Sequence, residues 1–422
     1  MAVRYRLGYS GAMQDFQLYQ QILGLVEPWH VKAVTLRREE GEVEIEVECR
    51  EHAWGCPECG QRMHVHAWER RRWRHLDSCQ FKTMIAAEVP RVSCAEHGTQ
   101  TVAVPWAEKF GRFTGLMERL AIELLRECSV SAACLILRIS WDEADGIKQR
   151  AVERGLVRRQ AQAPRRLGVD EKSAGRGQNY VTVVARLEPG KVATVEYVGD
   201  GRQQESLDRY WQTWSAEQLA GVEAVAMDMW EPYRNSTLAH VPGARDKIVH
   251  DPFHVGGMLS EALDKVRLAE HRVLMERGDK RLLDSKYLWL RGWENIPELQ
   301  RARFDELRGQ RLKTSRAWAI KEMFRDFWAS PSAEDGRVFF KSWYGWAIRS
   351  RLEPLKKVAR SFRSHLANIL TYFDHRITNA ALEGLNNRIA GLVKKAYGYR
   401  NRERFKTDIL FHLGGLDLYP AQ

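Results

Sequence analysis

The sequence predicts a multidomain α+β chain: a small β-rich N-terminal domain, a short helical domain, then an α/β domain that runs into a long helical stretch. Three observations predict it. The hydrophobic period changes from two to helical near Phe113 and returns to strand-like after residue 166. A basic, proline-containing segment, "RRQAQAPRR" at 158–166, marks a boundary between the two halves. Residues 255–375 then keep a helical pattern almost throughout and are rich in Trp, Arg and Lys. At 422 residues the chain is long enough for two or three separate cores.

Composition narrows the partners. Hydrophobic residues make up 44% and charged residues 29%, so the chain is globular. Its 66 Lys and Arg outnumber 55 Asp and Glu, a net charge of +11 that favours a polyanionic partner, nucleic acid first. No apolar run reaches the roughly 18–20 residues that span a bilayer, and "MAVRYRLGYSG" has no signal-peptide character. A cytoplasmic protein with no membrane partner is expected.

Taken in order, residues 12–31 read as a short helix, and "VKAVTLRREEGEVEIEVEC" (31–49) as a hairpin turning at Gly41, with Val43, Ile45 and Val47 on one face. "CPECG" and "CAEHG" follow, bracketing the strand-like "ERRRWRH" and "FKTMIAAEVPRVSC". Seven cysteines, an odd number unevenly spread, suit metal ligands and free thiols better than a disulfide framework. Cys56-x2-Cys59 and Cys94-x2-His97 can form a Cys3His tetrahedral zinc site, a structural one, with His64, His66 and Cys79 as alternative ligands.

Helical periodicity begins at "RFTGLMERLAIELLREC", whose apolar stripe runs through Leu116, Leu120, Ile122, Leu124 and Leu125. "SVSAACLILRIS" and "SWDEADGIKQRAVERG" each open on a serine able to cap a helix. They fit the supporting and recognition helices of a helix-turn-helix, with Lys148, Arg150, Arg158 and Arg159 as DNA contacts. An ordinary helical hairpin is the plainer reading, and the acids Asp142, Glu143 and Asp145 weaken a base-reading role.

Beyond the boundary, "RLGVDE", "NYVTVVARL" and "KVATVEYVG" are successive strands, followed by a helix, the strand "VEAVAMD", another helix and "DKIVHDPFH". Two of these apolar strands end on a carboxylate, Asp170 and Asp228. An Asp at a strand end commonly caps the next element. If the strands are sheet neighbours, though, two adjacent carboxylates repel each other unless a divalent metal neutralises them. Near the C-terminus "ITNAALEGLNNRIAGL" sets Asn379, Glu383 and Asn387 at four-residue steps, with Asn386 beside them, opposite Leu382, Leu385, Ile389 and Leu392. Glu383 is the natural third acid.

"LGVDEKSAGRGQNYVTVVARL", "VAMDMWEPYRNS", "IVHDPFHV" and "TNAALEGLNNRIAGLVKKAYGYRNRERF" resemble the blocks of the bacterial ISL3 insertion-sequence transposases, a DDE family with an RNase H-like catalytic domain. The resemblance covers nearly the whole chain. It implies that Asp170, Asp228 and Glu383 are the catalytic acids and hold two Mg2+ or Mn2+ ions, with a helical insertion between Asp228 and Glu383. His254 and Asp251 of "DPFH" match a family block as supporting residues, and Asn387 joins them from the polar helix face. The family also has a zinc-binding N-terminus, although its second ligand pair here ends in His97 instead of Cys.

The implied domains are 1–110 for zinc binding, 111–160 for the helix-turn-helix, 161–254 and 376–422 for catalysis, and 255–375 for the insertion. The basic stretch carrying Arg388, Lys394, Lys395 and Arg400, interleaved with Tyr397 and Tyr399, suits phosphate contact. Double-stranded DNA, as terminal repeats and target, is the expected partner of a homodimer or larger synaptic assembly. Two rival readings are a non-catalytic zinc and helix-turn-helix regulator on a degenerate nuclease fold, and a structure-specific nuclease.

Overall fold

A computed structural model describes residues 15–159, 163–173 and 179–421. The start of the first predicted helix (12–14) and the centre of the boundary segment (160–162) lie outside the described residues. The chain forms two compact units: Met1–Arg159 with Leu416–Gln422, and Gln160–Gly415. No helix among the described residues is long and apolar enough to cross a membrane.

In the first unit, helix α1 (Asp15–Ile22) leads into strands β1 (Trp29–Arg37), β2 (Glu42–Cys49), β3 (Ala53–Gly55), β4 (Arg62–Ser78), β5 (Phe81–Cys94) and β6 (Gly98–Thr101). The sheet order is β1-β2-β5-β4-β3, with β6 also paired to β5. β1 and β2 form the antiparallel hairpin expected at Gly41, whose φ of +66° suits a residue without a Cβ. Alternation buries Val43, Ile45, Val47, Trp73 and Ile85 on one face. Trp106 closes that core, meeting Trp29 and Trp73 edge-on at 5.0 and 5.3 Å.

Helices α2 (Gly115–Glu127), α3 (Val130–Leu137) and α4 (Trp141–Arg158) follow. Thr114, Ser129 and Ser140 accept the first free backbone N–H groups of these helices, and Ser140 forms a reciprocal capping box with Glu143. The buried face of α2 keeps Ile122 and Leu125 of the expected stripe but not its start. Met117, Ala121, Ile122 and Leu125 point inward, while Leu116 and Leu120 are exposed. Buried Glu118 explains the rotation, because it accepts from Arg150 and Arg154 of α4 and turns its own side of α2 inward. The C-terminal tail also belongs here: Arg154 donates to the Leu418 carbonyl and Arg158 to Asp417 and the Tyr419 carbonyl. Residues 416–422 therefore part from the rest of the expected 376–422 segment.

The second unit carries β7 (Arg166–Ser173), β8 (Tyr180–Arg186), β9 (Thr194–Asp200), α5 (Gln204–Trp211), α6 (Ala216–Ala220), β10 (Ala224–Met227), α7 (Glu231–His240) and β11 (Ile248–His250). Its sheet order is β11-β10-β7-β8-β9. β7, β8 and β9 are antiparallel neighbours, whereas β10 runs parallel to both β7 and β11.

Between β11 and the C-terminal helices the chain is helical: α8 (Pro252–Glu276), α9 (Lys286–Leu290), α10 (Glu298–Gly309), α11 (Lys313–Arg325), α12 (Ala333–Arg349), α13 (Glu353–Ser364), α14 (Leu366–Leu370) and α15 (Tyr372–His375). Its tryptophans serve its own core. Trp289, Trp318 and Trp343 are buried, and Trp293, Trp328 and Trp346 pack against them. Asn368 and Thr371 donate to the Ile248 carbonyl, satisfying the outer edge of β11.

α16 (Ala380–Lys395) and α17 (Arg402–Leu413) complete three layers. Leu167, Val169, Val225 and Met227 pack towards α5 and α7. Val181, Val183 and Val195 pack against Leu382, Leu385 and Ile389 of α16 and Phe405 and Ile409 of α17.

Candidate active site and zinc site

Cys56, Cys59, Cys94 and His97 lie with their ligand atoms all within 4.8 Å of one another, and form the one such group of three or more His, Cys, Asp or Glu among the described residues. The turn at 56–60 presents the first pair, with the Gly60 N–H donating to the Cys56 carbonyl, and the β5–β6 turn presents the second. The Sγ atoms of Cys59 and Cys94 are 3.7 Å apart, and His97 Nδ1 lies 3.5 Å from Cys94 Sγ and 3.9 Å from Cys56 Sγ. With Zn–S bonds of ~2.3 Å and Zn–N of ~2.0 Å, a tetrahedral ion requires edges of roughly 3.5–3.8 Å, so the four atoms fit zinc. The backbone N–H groups of Cys59 and Glu58 lower the Cys56 thiol, favouring the ligating thiolate. His64 pairs Ala53 across β3 and β4, and Cys79 is exposed; neither belongs to the cluster.

β7 and β10 place their acids side by side. In the parallel register Val169 faces Met227, so Asp170 and Asp228 are the next residues along neighbouring strands. Alternation sends Val169 and Met227 towards α5 and α7 and Asp170 towards α16, while Asp228 follows directly on the end of β10. There Asn386 Nδ2 donates to Asp170 Oδ2 at 2.7 Å, and Asn379 Nδ2 to the Val169 carbonyl at 3.4 Å. The close approach depends on Gly168, where an added Cβ would come within 2.0 Å of Leu382 Cδ1 and 3.0 Å of Asn379 Oδ1.

Burial raises the Asp170 carboxyl, opposed by His254, the Glu171 N–H and Asn386. Burial likewise raises Asp228, opposed by His254, and Asp170 beside it raises it further. One Asp228 oxygen, Oδ1, is buried with no hydrogen-bond partner among the described residues.

The other expected residues take distinct places. Glu383 is exposed in the first turn of α16, on the same face as Asn379 and Asn386, and it is not drawn into a tight cluster with the two aspartates. Asn387 is exposed one position beyond Asn386. Asp251 is fully buried and acts as a junction. Its carboxylate accepts from the N–H groups of His254 and Asn379, and its own N–H donates to the Met227 carbonyl. It thereby joins the start of α8, the start of α16 and the end of β10.

Glu171 was passed over in the sequence reading. Strand alternation turns it to the opposite face, where burial and then Asp228 and Asp170 raise its carboxyl. Arg202 sits 3.6 Å from Glu171, held between the rings of Tyr180 and Trp230. The available signal was its position directly after Asp170.

Of the expected DNA contacts, Lys148 is buried, Arg150 is paired with Glu118, and Arg158 binds the C-terminal tail. The helix phase fixed by Glu118 turns Lys148 and Arg150 inward, whereas Arg158 is exposed and spent on the tail. Arg159 is half-buried at the end of α4, and Arg388, Lys394, Lys395 and Arg400 are exposed. Tyr397 is fully exposed, but Tyr399 is packed inside, donating to Asp408.

Comparison with known proteins gives matches along most of the chain. Residues 52–97 match the zinc-finger of the transposases of IS204, IS1001, IS1096 and IS1165. Residues 102–152 match the helix-turn-helix domain of transposase family ISL3, and residues 167–409 match the ISL3 DDE transposase family itself. The transposase for insertion sequence element IS1557 of Mycobacterium tuberculosis is 27% identical over 370 residues, which cover 82% of each chain. The transposase for IS1001 of Bordetella parapertussis is 26% identical over 356 residues, 83% of this chain and 86% of that one. A zinc ribbon, a helix-turn-helix and a transposase domain in this order leave one conclusion: the chain belongs to the ISL3 family of DNA transposases.

Proposed function

We propose that this transposase binds the terminal inverted repeats of an insertion sequence and cuts and rejoins DNA with Asp170, Asp228 and Glu383 as its catalytic acids. The observation that carries this reading is the placement of Asp170 and Asp228 side by side at the ends of adjacent parallel strands, with Asp170 held by Asn386 of the helix that bears Glu383. The mixed five-stranded sheet, covered by helices on both faces, supports an RNase H-like catalytic unit, and the helices from α8 to α15 form an insertion between its second and third acids.

The donor set suits hard divalent cations, Mg2+ or Mn2+. It consists of carboxylate oxygens, with Asp170 and Asp228 both raised by burial and Asp228 raised further by Asp170, and one Asp228 oxygen has no partner among the described residues. Two such ions, when bound, activate the attacking water or 3′-hydroxyl and stabilise the leaving 3′-oxygen. The protein's own work is positioning. Asn386 orients Asp170, Asp251 locks the ends of β10, α8 and α16 together, and His254 offsets the acids' charge. Arg388, Lys394, Lys395 and Arg400 follow the Glu383 helix and supply phosphate contacts. A dimer or larger assembly at the nucleoid brings two element ends together.

The test is excision of a marker flanked by the element's repeats. Asp170→Asn, Asp228→Asn and Glu383→Gln should each lower excision by at least about a hundredfold, since metal ligation supplies several kcal/mol of charge stabilisation. Repeat binding should be retained. A variant that excises like the wild type removes its residue from the catalytic set. Binding of the repeats without cleavage by any form, in either metal, would favour a DNA-binding regulator.

A further inference from the structure

We propose that the N-terminal unit grips the sugar–phosphate backbone of duplex DNA in a cleft between its sheet and the α3–α4 turn, and that this cleft supplies the phosphate contacts that α4 itself lacks. The proposal rests on the DNA-binding reading of the chain and assigns part of that binding to a particular place.

The exposed face of α4 is poorly suited to a polyanion. Its basic residues Lys148, Arg150 and Arg154 are buried or paired within the unit, while Asp142 and Glu153 are exposed. Positive charge gathers instead beside the turn that precedes it. A cleft of about 370 Å³ is lined by Arg72, Arg74, Lys82, Arg112 and Arg138.

The topology explains the gathering. Arg72 and Arg74 alternate on β4, Lys82 lies on β5, and the register Arg74↔Met84 puts all three on one face of the sheet, opposite the face that buries Trp73 and Ile85. Arg112 comes from the chain that enters α2, where the Arg74 N–H donates to the Arg112 carbonyl. Arg138 ends α3 in a left-handed conformation with φ of 55°, two residues before the Ser140 cap of α4.

The acids nearby do not balance these cations. Glu42 and Glu143 also line the cleft. Glu42 accepts from Arg72, which also pairs with Glu44 at 3.0 Å, while one Glu143 oxygen is occupied with the Ser140 N–H and hydroxyl that cap α4. Asp77 clamps Arg74 and Arg138. Lys82 and Arg112 enter no ion pair among the described residues. Arg74 adds a second observation: it is 8% exposed, and its Nε is buried without a hydrogen-bond partner. Crowded cations with an unused buried donor call for an anion with several oxygens, and phosphate suits the guanidinium fork. In a helix-turn-helix the backbone passes beside the turn while the second helix enters the groove, which is where this cleft lies.

Binding is measured by fluorescence anisotropy with the full-length, zinc-loaded protein, on a terminal-repeat duplex and on an unrelated duplex, across a series of KCl concentrations. Lys82→Gln with Arg112→Gln removes the two unpaired cations and leaves the buried network in place. The expected result is about tenfold weaker binding to both duplexes, with the slope of log Kd against log salt shallower by about two. The charge-retaining Lys82→Arg with Arg112→Lys should bind like the wild type. A double Gln variant with unchanged affinity and slope overturns the cleft while leaving the DNA reading intact, as does equal weakening by Lys265→Gln on α8 of the second unit. Failure of the wild type to bind either duplex would overturn the DNA reading, and the cleft with it.

Discussion

The most informative single atom is Asp228 Oδ1, buried at the end of an apolar strand with no partner among the described residues. An ionised carboxylate so placed costs several kcal/mol unless a cation or donors compensate, so metal ligation gives it a physical reason. Two other residues carry predictions of their own. Glu118 is 2% exposed between Arg150 and Arg154, and Glu118→Ala should cost about 2 kcal/mol in denaturant unfolding of the first unit, because Arg150 loses its carboxylate and the buried Arg154 keeps only Glu108.

His75 governs a pH response. Burial, reinforced by Arg74, pushes its imidazole down to about 4, and the Thr114 hydroxyl lies 2.9 Å from its Nδ1. Between pH ~6.5 and ~4 the unfolded chain takes up a proton that the folded one refuses, so stability is complete above ~6.5 and falls as pH drops, by at most about 1.4 kcal/mol per pH unit. Urea midpoints for the wild type and His75→Gln should therefore diverge below pH 6.5. Zinc ligands titrate in both proteins, so parallel pH profiles would remove His75 as the cause. At this scale, residues with a local pattern were legible: the CPEC pair, and carboxylates ending apolar strands. Lys148 and Arg150 were not, because their orientation is set by Glu118, some thirty positions away in the chain.

Among the elements, β7 and α16 decide the site's geometry, and Gly168 decides how closely they meet. Gly168→Ala places a methyl group 2.0 Å from Leu382 Cδ1, so Leu382 must move and α16 with it. We expect a stability loss of about 1–3 kcal/mol and lower excision with all three acids intact. Full activity in that variant would show that the α16 position is not critical. The zinc ribbon is a second such element. Cys56→Ser should lower zinc content and abolish repeat binding, since the turn at 56–60 and the β5–β6 turn are joined through the ligands; a zinc-free variant that binds normally contradicts this. Strands and helices were legible here because periodicity is a local property. Of the α2 stripe, Ile122 and Leu125 are buried as the period suggests, but Met117 and Ala121 replace Leu116 and Leu120, because only the buried ion pair with α4 fixes the helix phase.

For the whole molecule, the excess of basic residues pointed to a polyanion, but did not say where it binds. Many cations are used within the fold, such as Arg154 between Glu108 and Glu118 and Arg325 between Glu294 and Glu322. Nor was the return of residues 416–422 to the N-terminal unit legible, since it depends on Arg154 and Arg158 from the far side of the boundary segment. The tryptophans of the helical stretch, suggestive in sequence, are accounted for by its own core. The central claim is that Asp170 and Asp228 meet in order to hold metal for DNA cleavage. Its most direct test is end cleavage of a terminal-repeat duplex by the wild type and Asp228→Cys, each in Mg2+, Mn2+ and EDTA. A thiolate ligates the softer ion better, so the account predicts wild-type cleavage in both metals, Asp228→Cys cleavage in Mn2+ alone, and none in EDTA. Cleavage by the wild type in EDTA, or by Asp228→Cys in Mg2+ at the wild-type rate, would contradict it.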